Sequence, residues 1–145
     1  MSAPPAPSEH FAAMLELARA AMDRAYAPYS KFHVGACVRD NQGRLFAGCN
    51  VENAAYPVGW CAEASAIGAM ATAGGRRIVE TVVIGAGELL CTPCGGCRQR
   101  LAEFAAWETP VHVCGPEGLR RSFRLRELLP EGFGPANLIP PANST

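Results

Sequence analysis

No charge of one sign predominates: 13 Lys and Arg meet 13 Asp and Glu, for a formal net charge of zero. No basic run is longer than Arg76-Arg77 or Arg120-Arg121. A protein whose main business is gripping a phosphate backbone needs a basic face, so no nucleic-acid partner is expected. Long apolar runs are lacking, and so is a signal-peptide pattern. No membrane partner is therefore expected, and the expected location is the cytoplasm. Histidine is scarce, and His10, His33 and His112 stand at no ligand spacing with the cysteines. They read as surface or strand residues. An even cysteine count is missing too: the seven are Cys37, Cys49, Cys61, Cys91, Cys94, Cys97 and Cys114. An odd count without a secretion signal argues against a disulfide framework and for reduced, buried or metal-bound thiols.

What is present is enough for one domain with a real core: 145 residues, 49% of them hydrophobic. Residues 1–8 read as a flexible Pro/Ala-rich arm, 9–134 as a single domain, and 135–145 as a tail. Ser8 is placed to cap a helix running to about Arg24, with Phe11, Leu15, Ala18, Met22 and Ala25 on one face. Phe32, Val34, Ala36 and Val38 alternate with His33, Gly35, Cys37 and Arg39, a strand pattern. Asp40-Asn41-Gln42-Gly43 is turn chemistry, and 45–51 is the returning strand of a hairpin. An Ala-rich helix is predicted over 61–73, stopped by Gly74-Gly75. A β-branched strand follows at 78–84, then a helix from Cys94 to about Ala105, opened by Pro93. Thr109 to Cys114 is another strand, and Phe123-Arg124-Leu125 a last short one. This order predicts an α/β protein with a mixed sheet and helices on both faces.

Two stretches carry chemistry. Cys61-Ala62-Glu63 sets a thiol and a carboxylate two positions apart at a helix start. Pro93-Cys94-Gly95-Gly96-Cys97-Arg98-Gln99 sets two thiols three apart at another. Three thiolates can hold Zn²⁺ and leave its fourth position open, the catalytic arrangement. Both helix N-termini favour ionised thiols. Cys91 keeps an alternative open, since Cys91-Thr-Pro-Cys94 is also a Cys-x-x-Cys pair. Four thiols would close the site and make it structural.

Taken together, Asn50-Val51-Glu52-Asn53-Ala54-Ala55-Tyr56, Cys61-Ala62-Glu63 and the Pro-Cys-Gly-Gly-Cys-Arg-Gln run resemble the homotetrameric zinc-dependent cytidine deaminases. Tyr29-Ser30-Lys31-Phe32 and Glu127-Leu128-Leu129-Pro130 fit as well, so the resemblance covers about Phe11 to Phe133. A ligand-x-Glu pair followed by Pro-Cys-x-x-Cys is the general signature of zinc deaminases. The resemblance implies a three-layer α/β/α sandwich with a mixed five-stranded sheet, and a catalytic domain over 9–134. It implies Zn²⁺ on Cys61, Cys94 and Cys97, with Glu63 as proton shuttle. Asn50 and Glu52 would hold the ribose hydroxyls, Phe32 would pack on the nucleoside, and the Ala62 backbone would meet the base edge. Phe133 would be lent to a neighbouring subunit of a homotetramer with shared sites.

The implied activity is hydrolytic deamination of cytidine and 2′-deoxycytidine in pyrimidine salvage. The alternatives are a same-fold deaminase of another aminated nucleoside, such as a blasticidin-type antibiotic, and a non-enzymatic zinc module. The chain departs from the family at one point. Many members carry Arg directly after Cys-Ala-Glu, and this chain has Ala64. Arg98, beside Cys97, is the expected substitute for tempering the thiolate charge.

Overall fold

The computed structural model describes residues 2–139. Met1 of the expected arm and residues 140–145 of the expected tail lie outside the described residues. Five strands form one sheet: β1 (Val34–Asp40), β2 (Leu45–Cys49), β3 (Ile78–Gly85), β4 (Pro110–Gly115) and β5 (Gly118–Arg124). Their spatial order is β2-β1-β3-β4-β5. Among these five strands, β3 and β4 pair in parallel and the other three neighbouring pairs are antiparallel. The parallel step needs a crossover, and α3 (Gly95–Phe104) supplies it. Among the described residues, no helix is long and apolar enough to cross a membrane.

The α1 helix (Phe11–Met22) covers one face of the sheet, burying Met14, Ala18 and Met22 against Cys37, Val82, Ile84 and Cys114. On the other face α2 (Ala62–Thr72) and α3 pack against Ala36, Val38, Val83 and Ile78, through Ala66, Ile67, Met70 and Leu101. Neighbours along β3 thus serve opposite layers, as the pleat requires. The predicted three-layer sandwich with a mixed five-stranded sheet is what the chain forms.

Local differences have physical causes. β1 alternates in sequence yet is covered on both faces, because Gly35 and Gly48 admit a helix on either side. A β-carbon on Gly35 would sit 1.9 Å from the Ala18 carbonyl oxygen, and one on Gly48 would sit 2.4 Å from the Ala66 nitrogen. The last strand is longer than expected. Gly118, at φ +127°, closes a tight turn after β4, and β5 then pairs back along it, with Arg120 left out where the register shifts between Val113 and Cys114. Arginines 120, 121 and 124 on this edge strand discourage pairing with another chain. Leu125, expected to end the last strand, instead opens a short helix, α4 (Leu125–Leu128).

Ser8 does not cap α1; His10 holds that position with no side-chain cap. The Ser8 N–H donates to Glu80 Oε2 at 3.1 Å and its hydroxyl donates to Oε1. The same hydroxyl oxygen accepts the His10 N–H at 3.1 Å, so it closes a local turn ahead of the helix while its proton makes a charge-assisted bond to the buried carboxylate. Glu80 also takes Arg39 Nη2 at 3.2 Å and His112 Nε2 at 2.9 Å, and His112 Nδ1 lies 2.7 Å from Ser122 Oγ. His112 is therefore a strand residue, but fully buried. Burial alone would raise the Glu80 carboxyl; the bonds from His112, Ser8 and Arg39 outweigh it and leave the pKa at about 2.

A depressed carboxyl stabilises the fold above its unfolded pKa, and that contribution is lost as pH falls toward 2. Its size is on the order of 2 kcal/mol, discounted for water reaching the Arg39 end of the network. Glu80→Gln should be less stable than the parent at pH ~7, with the gap closing below pH ~4. Denaturant melts across that range check it, and a constant gap would refute it.

Candidate metal centre and surrounding cavity

The site forms where α2 and α3 begin side by side on one face of the sheet. Cys61 is the N-cap residue of α2 and Cys94 that of α3, both in extended backbone. Cys97 lies in the first turn of α3 and is buried. The three sulfurs lie within 4.8 Å of one another, and Cys61 and Cys94 Sγ are 3.9 Å apart. Cys91 is not part of this group among the described residues; it lines the cavity beside it. That arrangement favours the open three-thiol site over the closed one.

The cavity over the thiols measures about 190 Å³ and is lined by Val34, Asn50, Cys61, Ala62, Glu63, Cys91, Thr92 and Cys94. Five of the expected site residues line it: Asn50, Cys61, Ala62, Glu63 and Cys94. Glu63 is 4% exposed. Burial pushes its carboxyl above the ordinary range, while its own backbone N–H and the Arg100 charge pull it partly back.

The thiols themselves show why a cation fits. Burial raises Cys97, and the negative charges of Glu63, Cys61 and Cys94 raise it further. Cys94 goes the other way: burial opposes it, but the Cys97 and Gly96 N–H groups and the neighbouring thiols hold it below the ordinary thiol range. Three thiols crowded beside a carboxylate cannot all ionise unaided. A divalent ion that prefers sulfur removes the conflict, and soft thiolate sets select such ions.

Asn50 and Glu52 are placed otherwise than a simple sugar clamp would be. Both side chains reach the same segment, as extended backbone around Val51 predicts. Asn50 Oδ1 accepts the Val34 N–H at 2.9 Å and its Nδ2 donates to the Phe32 carbonyl at 2.8 Å. Glu52 Oε1 accepts the Tyr29 and Ser30 N–H groups at 3.0 and 3.1 Å, and Oε2 accepts the Ser30 hydroxyl. The Ser30 hydroxyl and N–H hold Glu52 below the usual carboxylate range. Glu52 lines a second cavity of about 300 Å³, with Tyr29, Ser30, Asn53, Tyr56 and Gly59. Together the two side chains fix the turn in which Lys31 takes a left-handed φ of 61° and which presents Phe32.

Phe32 stands beside Cys91: β-carbons on Gly85 and Gly87 would come within 3.4 and 3.1 Å of its ring. Phe133 does not line the thiol cavity. It is 56% exposed, and its carbonyl accepts Gln99 Nε2 at 2.8 Å.

Arg98 is not where charge tempering was expected. Its guanidinium donates to the Pro93 carbonyl at 2.7 Å, the Leu128 carbonyl at 2.6 Å and Thr92 Oγ1 at 3.2 Å. It ties the loop before α3 to α4 and contacts no sulfur. The residue that does is Arg100, whose Nη1 lies 3.6 Å from Cys97 Sγ. Sequence reasoning missed it, although three positions along a helix is neighbouring spacing.

Residues 8–113 match the family model described as the cytidine and deoxycytidylate deaminase zinc-binding region. A cytidine deaminase of Mycobacterium tuberculosis is 43% identical over 112 residues, covering 76% of this chain and 79% of that protein. One of Sporosarcina psychrophila is 37% identical over 118 residues, 81% of this chain and 87% of that protein. The crystal structure of the Burkholderia pseudomallei cytidine deaminase superposes with a TM-score of 0.80 at 39% identity, covering 88% of this chain and all of that one. The matched region contains both helix starts and all three clustered thiols, and the shared identity runs through most of each chain. On these grounds the chain belongs to the cytidine deaminase family.

Proposed function

We propose that the protein hydrolyses cytidine and 2′-deoxycytidine to uridine and 2′-deoxyuridine with release of ammonia. The observation that carries this is the buried Glu63 carboxylate in the same cavity as a three-thiol cluster. Cys61, Cys94 and Cys97 are the proposed holders of Zn²⁺. When bound there, the ion supplies a Lewis acid that brings the pKa of a water to about 7.

Glu63 does the proton work. It takes a proton from the attacking water and places it on N3 of the base as C4 becomes tetrahedral. It then takes the proton of the new C4 hydroxyl and delivers it to the 4-amino nitrogen; the C4–N bond breaks as C4=O forms, and ammonia leaves. One carboxylate acting first as base and then as acid needs a pKa closer to neutrality than an exposed Glu has, and burial moves Glu63 in that direction.

The Ala62 backbone is the proposed contact to the base edge, with Phe32 against the nucleoside. Asn50 and Glu52 retain lone pairs beyond the bonds they already make, and these are proposed for the ribose hydroxyls. Their first duty, fixing the 29–34 turn, places Phe32. The cytoplasm is the proposed compartment, where seven free cysteines stay reduced.

A homotetramer with shared sites is part of the proposal. The thiol cavity, at about 190 Å³, is smaller than most small-molecule sites. Tyr26, Tyr29, Val51, Tyr56, Val58 and Trp60 are large and exposed; the Tyr29 and Tyr56 rings lie 5.7 Å apart and Val51 bridges to both Tyr26 and Trp60, and grouped exposed apolar residues mark interaction surfaces. Phe133 is exposed and free to serve a neighbouring copy. Sedimentation of a fully active monomer would refute this part.

The direct test is the fall in cytidine absorbance on mixing with purified protein, run beside free cytosine and short single-stranded DNA. Cytidine should be turned over and cytosine poorly, because a site built around sugar hydroxyls discriminates strongly against a ligand lacking them. The DNA should be poorer still, since a phosphate on the gripped hydroxyl would face Glu52. Glu52→Gln should narrow the gap between cytidine and cytosine. DNA deaminated as well as cytidine would overturn the nucleoside assignment.

A further inference from the structure

We propose that Arg100 tempers the charge of the thiol cluster through Cys97 and so sets how strongly the metal centre acts as a Lewis acid. Three thiolates and one divalent cation sum to minus one, and Glu63 adds a further negative charge nearby. Excess negative charge weakens the metal's pull on a water, so the centre needs a cation beside it. Ala64, the residue after Glu63, is buried and uncharged. Arg98 is committed to Pro93, Thr92 and Leu128.

Among the described residues, Arg100 is the cation whose guanidinium reaches a cluster sulfur, with Nη1 at 3.6 Å from Cys97 Sγ. Its position is built from two sides. Three residues along α3 put it on the same helix face as Cys97. The guanidinium carbon lies 5.8 Å from the centroid of the Trp60 ring, within reach of a cation–π attraction. Trp60 is itself fixed by paired backbone bonds with Val51, both 2.8 Å, and immediately precedes Cys61. The guanidinium thus bridges the flank of one thiol and the sulfur of another. Cys97 is the buried member of the cluster, where a charge acts through less water and so more strongly. A hydrogen bond into a thiolate withdraws electron density from the sulfur and leaves more positive charge on the metal. Arg100 is therefore a positioning and tuning residue; it touches no reacting atom.

This inference rests on the proposed metal centre, and the test separates the two. Zn²⁺ is replaced by Co²⁺ and the near-ultraviolet sulfur-to-cobalt charge-transfer band is recorded for the parent, Arg100→Gln and Arg100→Lys. Gln suits a helix and carries no charge. A sulfur freed of its hydrogen bond gives up electrons more easily, so the band should move to longer wavelength in Arg100→Gln. Arg100→Lys should lie between that variant and the parent. On the zinc protein, kcat should fall roughly 10- to 100-fold with KM unchanged. An unmoved band with one metal still bound in Arg100→Gln overturns the role of Arg100 and leaves the metal centre standing. A parent that binds no Co²⁺ and shows no band overturns the metal centre itself, and this inference with it. Should Arg100→Gln not fold, Trp60→Leu serves: it loosens the guanidinium from the other side and should give a smaller shift in the same direction. An unmoved band there overturns the proposal as well.

Discussion

Glu63→Gln keeps the fold and the metal and loses roughly 10²- to 10⁴-fold in turnover, the usual contribution of a positioned proton carrier. Glutamine matches the shape of the buried side chain, so packing in the first turn of α2 is preserved. What disappears is the capacity to pick up a proton at one atom and release it at another. Any charge-balance effect on the metal is small beside that, since the lost carboxylate was a destabilising neighbour of Cys97. Single-turnover kinetics with metal content measured on the same sample checks the expectation. Turnover within a few-fold of the parent would remove Glu63 from the mechanism.

Metal content should divide the cysteines sharply. Cys94→Ala removes one of three converging sulfurs, and outer contacts cannot replace it, so bound zinc falls from one per chain to near zero. Cys91→Ala leaves the three sulfurs within 4.8 Å of one another as they were. That variant should keep its zinc, and any fall in activity would come from the cavity wall. Cys91 stands in the wall of the cavity, outside the group of three converging sulfurs, so its position and not its acidity sets it apart from the ligands. Equal loss of zinc from both variants would reinstate the four-thiol site.

Much of the fold was legible because its signals are local. Pro93 and the glycines after Cys94 mark a helix start, Gly74 at φ +90° marks a helix end, and the 78–84 run is β-branched at every position but Glu80. Each acts within a few residues through dihedral preference or a single hydrogen bond. Ser8 shows where such signals fail: it is a good capping residue, but Glu80, 72 positions away, holds its hydroxyl. Nothing near Ser8 in sequence announces that carboxylate. His112 is a similar case. Its strand was readable, while its burial depends on α1 laying Phe11 edge-on against its ring at 5.4 Å.

The sequence by itself determined the donor types, their spacing and the helix starts that carry them: Cys61 with Glu63, and Cys94 with Cys97. Those relations span two or three positions, and helix geometry settles them wherever the helix lies. Tertiary structure alone decided which thiols meet, since Cys61 and Cys94 are 33 residues apart and converge at 3.9 Å only because α2 and α3 start together on one sheet face. It decided that Arg98 clamps a loop while Arg100 reaches a sulfur. It also decided that Asn50 and Glu52 spend hydrogen bonds on the 29–34 turn. The physical reason is the same in each case: a polar side chain's partner is whatever group the packed layers bring within about 3–4 Å, and chain spacing does not encode that distance.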